Sequence, residues 1–129
     1  MSDIRAGTIS DAAGTGPITL TGQSAAKAWA NLNGTSFGLR DSFNISSASD
    51  EGVGQYKFNY STNMGNVNYS AHFSAGNDVG GSSNSAVFIG GPNGNTLLVG
   101  STFCNTRDAA NTSNLDRDQV FFLTHGDLA

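Results

Sequence analysis

Residues 54–75 read GQYKFNYSTNMGNVNYSAHFSA, and the rhythm of this stretch decides the fold class. The aromatic residues of 56–60 alternate with polar ones, and after a turn at 63–66 the segment 67–73 alternates in the same way. Because successive side chains of a strand point to opposite faces, each segment predicts a strand with one aromatic face and one wet face. We expect the two strands to pair as an antiparallel hairpin.

Upstream, residues 27–32 (KAWANL) predict another strand, which leads into Asn33-Gly34. This dipeptide favours a tight type I′ turn, because such a turn needs positive φ at both central residues. The partner strand is expected over 36–47. A short helix over 24–32 is the competing interpretation, since its apolar residues also fit helical spacing.

Downstream, three further strands are expected, separated by polar loops. The strands are placed at 86–89, 96–103 and 119–124, and the loops at 76–84 and 104–116. The last strand carries a continuous apolar run, VFFL, and is therefore expected to be a buried closing strand.

Seven or so short strands, with loops about every ten residues, are typical of an all-β domain. We therefore expect a single antiparallel β-sandwich or jelly-roll-like domain over residues 24–129. Residues 1–23 predict an extended N-terminal arm that contacts another subunit or a scaffold, with a frayed terminus as the alternative. The apolar side chains of this arm are widely spaced and lie at Ile4, Ile9, Ile18 and Leu20.

The composition is that of a folded chain with a small core. Gly, Asn, Ser and Thr make up 58 of the 129 residues, 12% of the chain is charged, and the net charge is −4. Only 27 residues are Ile, Leu, Val or Phe. A domain this small buries a modest share of its surface, so we expect a homotrimer that buries part of its aromatic set between chains.

The same composition excludes several classes of protein. No apolar run is long enough to cross a bilayer, and the first residues lack the apolar stretch of a secretory signal. Nucleic-acid binding is not expected, because there is no basic cluster to neutralise phosphates. The single cysteine, Cys104, cannot form an internal disulfide, which is consistent with a reducing compartment.

Residues that could carry catalysis do not form a recognisable constellation. His72 and His125 have no ligand or catalytic spacing, and nothing in the sequence brings a histidine to Cys104. We expect His72 on the wetter face of its strand and His125 in a turn. The carboxylate pairs, at Asp50-Glu51 and at Asp116 with Asp118, lie beside predicted turns, where Asp is common for backbone reasons. We therefore expect no enzyme and no cofactor.

A calcium ion is an open alternative for the last quarter of the chain. Asp108, Asp116 and Asp118 could supply oxygen ligands together with the carbonyls of the loop 104–116. No EF-hand or repeat pattern accompanies them, so no metal site is assigned.

The segment 24–69 resembles a module that recurs in bacteriophage tail-fibre and related virion proteins. The pattern is AKAW, then NGT, then RDSFN, then a DxGxG turn and an aromatic strand that ends in NY. Its matches here are Ala26 to Trp29, Asn31, Asn33 to Thr35, Arg40 to Asn44, Asp50, Gly52, Gly54, Tyr56, Asn59 and Asn68-Tyr69. The preceding segment, from Ile4 to Gln23, resembles the lead into that module, whereas the chain beyond about residue 76 matches in strand rhythm and composition only.

This resemblance implies a virion protein that is assembled in the cytoplasm of a host bacterium. Its most direct implication is a tail-fibre module for recognition of a host-surface glycan or protein, with a capsid decoration, cement or head-fibre protein as the alternative. A glycan-degrading enzyme is a third hypothesis, and the missing catalytic constellation argues against it. The arm would contact other virion proteins.

The resemblance also implies roles for individual residues. Trp29 is expected to be an anchor in the core or at a subunit interface. Arg40 and Asp41 should point to opposite faces of their strand and find partners on neighbouring strands or chains. Because the two polar loops suit adaptable hydrogen bonding, the candidate ligand-binding residues lie there: Asn77, Asp78, Asn84, Arg107 and Asp108. The alternative is that these are solvated turn residues.

Overall fold

The computed structural model describes residues 25–76, 85–89, 97–108 and 113–129. These residues form eight strands. The bounds are β1 (Ala28–Asn33), β2 (Gly38–Phe43), β3 (Ile45–Gly52), β4 (Gln55–Tyr60), β5 (Ser70–Gly76), β6 (Ser85–Ile89), β7 (Ser101–Asp108) and β8 (Gln119–His125). The N-terminal arm and the predicted turn at 90–95 lie outside the described residues.

The strands form two four-stranded antiparallel sheets that pack face to face. The first sheet has the order β2-β1-β8-β5 and the second has the order β3-β4-β7-β6. The β-sandwich prediction is therefore confirmed. The strand alternative for residues 27–32 is also confirmed, because β1 lies at the centre of the first sheet and no helix covers this segment.

The chain passes between the sheets at Asn44, which separates β2 from β3. Asn44 has a φ of 56°, a left-handed conformation that Asn tolerates better than most residues. Its side-chain Nδ2 donates to the carbonyls of Lys27 (3.0 Å) and Thr62 (3.1 Å), and its Oδ1 accepts from the Thr62 amide (2.7 Å). The prediction of one strand over 36–47 is therefore wrong, because this corner divides it between two sheets.

The predicted hairpin over 54–75 is also wrong, although its two strands exist. β4 pairs with β3 and β7, whereas β5 pairs with β8 in the other sheet. The aromatic faces of the two strands meet across the sandwich, with the rings of Phe58 and Phe73 6.3 Å apart. Alternation predicted the buried faces correctly except at Val67, which is exposed and precedes β5. Face-to-face packing satisfies these faces as well as side-by-side pairing does.

The core is an aromatic cluster centred on Phe122 of β8. Its ring lies 5.1 Å from that of Phe58 and 5.0 Å from that of Phe73, both stacked. Tyr60 lies 6.2 Å from Phe122 and meets Tyr69 edge-on at 6.0 Å. Aromatic rings bury much area per residue, which compensates for the small number of aliphatic side chains.

The last two strands differ from their predicted bounds and burial. β7 begins at Ser101 rather than at residue 96 and continues to Asp108, so the first five residues of the predicted loop 104–116 are strand. β8 confirms the closing strand, but its run VFFL is not buried on both faces. Val120 and Phe122 are buried, whereas Phe121 and Leu123 are 40% and 37% exposed.

The first hairpin turns over four residues, 34–37, rather than two. Asn33 Oδ1 accepts hydrogen bonds from the amides of Thr35 (3.0 Å) and Ser36 (2.9 Å), an Asx-type turn. Positive φ among the described glycines occurs at Gly52 and Gly54, so the type I′ prediction for Gly34 is wrong. Gly34 is needed for space instead, since a Cβ there would collide with the Tyr56 phenol.

Candidate functional site

The most distinctive surface of the molecule is the outer face of the first sheet. Along β1, Ala28, Ala30 and Leu32 are buried, so the alternate residues point away from the core. The same alternation directs Phe121 and Leu123 of β8 outward. We call the four outward side chains Trp29, Phe43, Phe121 and Leu123 the apolar face.

Cross-strand register brings these four side chains together. Trp29 of β1 lies directly opposite Phe43 of β2 on one side and opposite Leu123 of β8 on the other. Phe121 lies two residues along β8 from Leu123 and is opposite Asn31. Trp29 is 36% exposed and Phe43 is 53% exposed. Directly opposite residues of antiparallel strands are in contact range, so Phe43, Trp29 and Leu123 form one row across the sheet, and Phe121 lies beside that row on β8.

Trp29 therefore is not part of the hydrophobic core. Its indole lies on the outer face, while the core cluster takes its two neighbours Ala28 and Ala30. Of the two roles implied for Trp29 in the sequence, the core anchor is wrong. The subunit-interface role stays a prediction.

One rim of the apolar face carries two charges. A register shift between Asn31 and Leu32 leaves Arg40 and Asp41 of β2 opposite a single residue of β1, and both side chains are exposed. The bulge is the reason that they do not alternate between faces as predicted. Arg40 Nη1 donates to Asn31 Oδ1 on the neighbouring strand at 3.4 Å, which is a cross-strand partner as predicted. Asp41 Oδ1 instead accepts from the amide of Ser42, the next residue of its own strand, at 2.8 Å.

The opposite rim, on β5, carries His72. Its ring Nε2 lies 3.0 Å from Ser70 Oγ, and both side chains are exposed, which confirms the prediction that His72 lies on the wet face of its strand. Between β5 and β8 the surface sinks into a depression of about 330 Å³. It is lined by His72, Phe73, Ser74, Phe121, Phe122 and Leu123.

The outer face of the second sheet has a different character. Its central strand β4 presents Lys57, whose register neighbours are Ser49 on β3 and Phe103 on β7. The Lys57 ammonium lies 5.5 Å from the centre of the Phe103 ring, and Phe103 is buried. Asn59, two residues along, donates from Nδ2 to Ser47 Oγ at 3.0 Å. We call this surface the polar face.

The predicted ligand-binding residues do not form a site among the described residues. Arg107 is not in a loop: it lies on β7, is half-buried, and donates from Nε to Asn114 Oδ1 at 2.9 Å. Asp108 is the last residue of the same strand and pairs with Ser85 of β6. The others lie outside the described residues, as do the four apolar residues of the arm. These are Asn77, Asp78 and Asn84, and Ile4, Ile9, Ile18 and Leu20.

Asp116 is used to hold the fold together. Its Oδ1 accepts from the Gly54 amide at 2.6 Å and from the Tyr56 hydroxyl at 3.0 Å. Burial, together with the hydrogen bond to this carboxylate, raises the pKa of Tyr56. The described residues contain no group of three or more His, Cys, Asp or Glu side chains that could hold a metal ion.

Three further candidates for chemistry lie on strands. Cys104 is buried in β7, and burial raises the pKa of its thiol to about 12. A thiol in this state is protonated at neutral pH and a poor nucleophile. His125 is not a turn residue as expected: it is the last residue of β8 and pairs with Ser70. Asp50 lies near the end of β3, where its Oδ1 accepts from the Gly52 amide at 3.0 Å.

Sequence reasoning missed Phe43, Phe121 and Leu123 as surface residues. The run VFFL was indistinguishable from a strand buried on both faces, because periodicity does not separate an outward apolar residue from an inward one. The one available signal was Trp29, which alternates with small residues in AWAN. Small residues at 28 and 30 leave room for the opposite sheet, which predicts that the large indole points the other way.

No helix in the described part of the chain has the length and apolar character needed to cross a membrane. Comparison of the chain with protein-family models, with curated protein sequences and with solved structures gives no match.

Proposed function

We propose that this chain is a structural protein of a bacteriophage virion, a tail-fibre module that takes part in recognition of the host surface. The observation that carries the proposal is the apolar face, because exposed contiguous apolar patches mark surfaces that bind other molecules. Such a surface suits a protein that works within an assembly. The likeness of residues 24–69 to the tail-fibre module supports a virion as that assembly.

The proposal is for a binding module rather than an enzyme. Two residues that could take part in catalysis have structural roles instead: Asp116 holds the Gly54 amide and the Tyr56 hydroxyl, and Cys104 is a buried thiol with a raised pKa. The aromatic residues, by contrast, are split between the core and an exposed face. Exposed aromatic side chains supply large rigid contact area at a low cost in conformational entropy, which favours binding to another protein surface.

The first test is the location of the chain on the virus particle. Particles of the phage that encodes it should be purified and labelled with gold-conjugated antibody against the chain. Gold at the tail fibres is the expected result. Gold over the capsid shell would replace the fibre assignment by a decoration or cement protein, and particles without the chain would overturn the virion proposal.

The second test separates attachment from recognition. Deletion of residues 2–20 should leave the sandwich folded, as judged by circular dichroism, while the shortened chain is no longer incorporated into particles. Purified full-length chain should compete with phage for adsorption to host cells. If particles lacking the chain adsorb normally, host recognition is not its role.

A further inference from the structure

The apolar face has a protruding element and a recess on the same surface. Phe43, on the edge strand β2, is the most exposed of its four side chains. The depression of about 330 Å³ lies at the other edge, between β8 and β5. With strands about 4.8 Å apart, Phe43 and the depression are separated by about 12 Å across the sheet.

We propose that the apolar face is the contact surface between copies of this chain. A protrusion at one edge and a recess at the other are self-complementary when two such faces meet. Rotation by 180° about an axis that runs along the strands, between β1 and β8, places Phe43 of each copy over β5 of the other. The same rotation places Trp29 of each copy over Leu123 of the other.

The distribution of charge fits this arrangement. The described side chains at the centre of the face, Trp29, Asn31, Phe121 and Leu123, are uncharged, and the charged groups lie at its edges. Arg40 and Asp41 lie on β2 and His72 lies on β5. By register, the rotation sets Phe43 of each copy over His72 of the other, and Asp41 over Ser74, which is two residues along β5 from His72. An uncharged aromatic centre with a polar rim is typical of interfaces between proteins.

The size of the face sets the expected strength of the contact. Four strands about 4.8 Å apart and six residues long, at about 3.3 Å per residue, span roughly 20 by 20 Å. This is smaller than a standard interface, which buries about 800 Å² on each partner. We therefore expect association that depends on protein concentration in the micromolar range, rather than a permanent oligomer.

Trp29 is the single tryptophan of the chain, so its fluorescence reports directly on this face. The full-length chain should be studied by analytical ultracentrifugation and by tryptophan emission, from low micromolar to several hundred micromolar concentration. The expected result is a rise in average mass to a discrete oligomer, accompanied by a shift of the emission to shorter wavelength. A dimer fits the two-fold arrangement, and a trimer fits if Phe43 of each copy enters the depression of the next.

The decisive variant is Phe43→Asp, which puts a charge on the protrusion and should weaken association by roughly tenfold or more. The matched control is Ser49→Asp, which introduces the same charge on β3, the edge strand of the other sheet, and should leave association unchanged. Leu123→Ser provides a second disruption if Phe43→Asp fails to show the circular dichroism of the folded chain.

Three results would overturn the inference. They are a monomer over the whole concentration range, an oligomer that Phe43→Asp and Leu123→Ser leave intact, and association without any change in Trp29 emission. None of these outcomes bears on where the chain lies on a virus particle, so this inference and the proposed function fail independently.

Discussion

The two outer faces of the sandwich are built by the same alternation and differ in what covers their large side chains. On the polar face the ring of Phe103 is buried, and the Lys57 ammonium lies over it. On the apolar face Trp29 and Phe43 keep more than a third of their surface exposed. Alternation therefore determines which side chains point away from the core, but not whether they are exposed to solvent.

The difference arises from the neighbours in register. Lys57 can lay its aliphatic stem over Phe103 because the two residues are directly opposite on β4 and β7. The residues directly opposite Trp29 are Phe43 and Leu123. Both side chains are uncharged and too short to reach across the indole into solvent. Within the described part of the chain, this apolar row stays exposed.

The largest expected effect separates the inner and outer faces of one strand. Phe122→Ala should lower the free energy of unfolding by about 3–5 kcal/mol, because it leaves a cavity between the rings of Phe58 and Phe73. Phe121→Ala, next to it in the chain but outward, should cost about 1 kcal/mol or less at low protein concentration. Urea titration followed by circular dichroism measures both. Equal losses would mean that β8 is buried on both faces.

A smaller effect is expected where the first hairpin approaches the core. Gly34→Ala places a Cβ against the Tyr56 ring and 2.7 Å from the Arg117 carbonyl oxygen. Such overpacking typically costs about 1–3 kcal/mol. Gly38→Ala in β2 is the control, since the nearest atom to its Cβ, the Ser36 carbonyl oxygen, is 3.7 Å away. Thermal and urea unfolding should show little change in stability for Gly38→Ala. A Gly34→Ala chain as stable as the unaltered chain would contradict this packing.

Alkaline pH should destabilise the fold through its buried acids. Burial raises the pKa of the Cys104 thiol from its ordinary value of 9.0 to about 12, and burial also raises the pKa values of Tyr56 and Tyr60. The folded state therefore holds these protons over a range in which the unfolded chain releases them. The free energy of unfolding therefore has its full value below about pH 9 and falls as the pH rises. The loss is about 1 kcal/mol at pH 10 from Cys104 alone.

The variant Cys104→Ala isolates that contribution. Its stability should decline less steeply between about pH 8 and 10 than that of the unaltered chain, whatever its absolute value. The measurement is the urea midpoint at each pH. Parallel declines for the two chains would show that Cys104 is not a protonated buried thiol.

Local features of the fold were predictable from sequence, whereas pairings between distant segments were not. Alternation in 56–60 and 67–73 predicts two strands that the structure contains, although the second begins at Ser70, and it assigns both to one hairpin. Nothing local distinguishes that hairpin from the observed arrangement in two sheets. The corner at Asn44 was hidden for a related reason: Asn is a common strand-flanking residue, and its left-handed conformation becomes evident only with its bonds to Lys27 and Thr62.

The candidate site was less predictable than the fold. Polar loops were expected to carry recognition, but Arg107 is held within β7 by Asn114. The apolar face depends on the meeting of β1, β2 and β8, and β8 lies about ninety residues beyond β1 in the sequence. Of its residues, the sequence predicts only Trp29 as an anchor. A surface assembled from distant strands has no sequence motif of its own.

The smallest expected effect tests the polar face by itself. Lys57→Gln removes the cation above the Phe103 ring while keeping most of the aliphatic stem, so it should lower the free energy of unfolding by about 0.5–1 kcal/mol. The sedimentation of the chain should not change, because the Phe103 ring stays covered by that stem. If Lys57→Gln instead induced association, the polar face would be an interface held in check by one charge. The distinction between the two faces would then depend on that single lysine, rather than on the register that pairs Trp29 with Phe43 and Leu123.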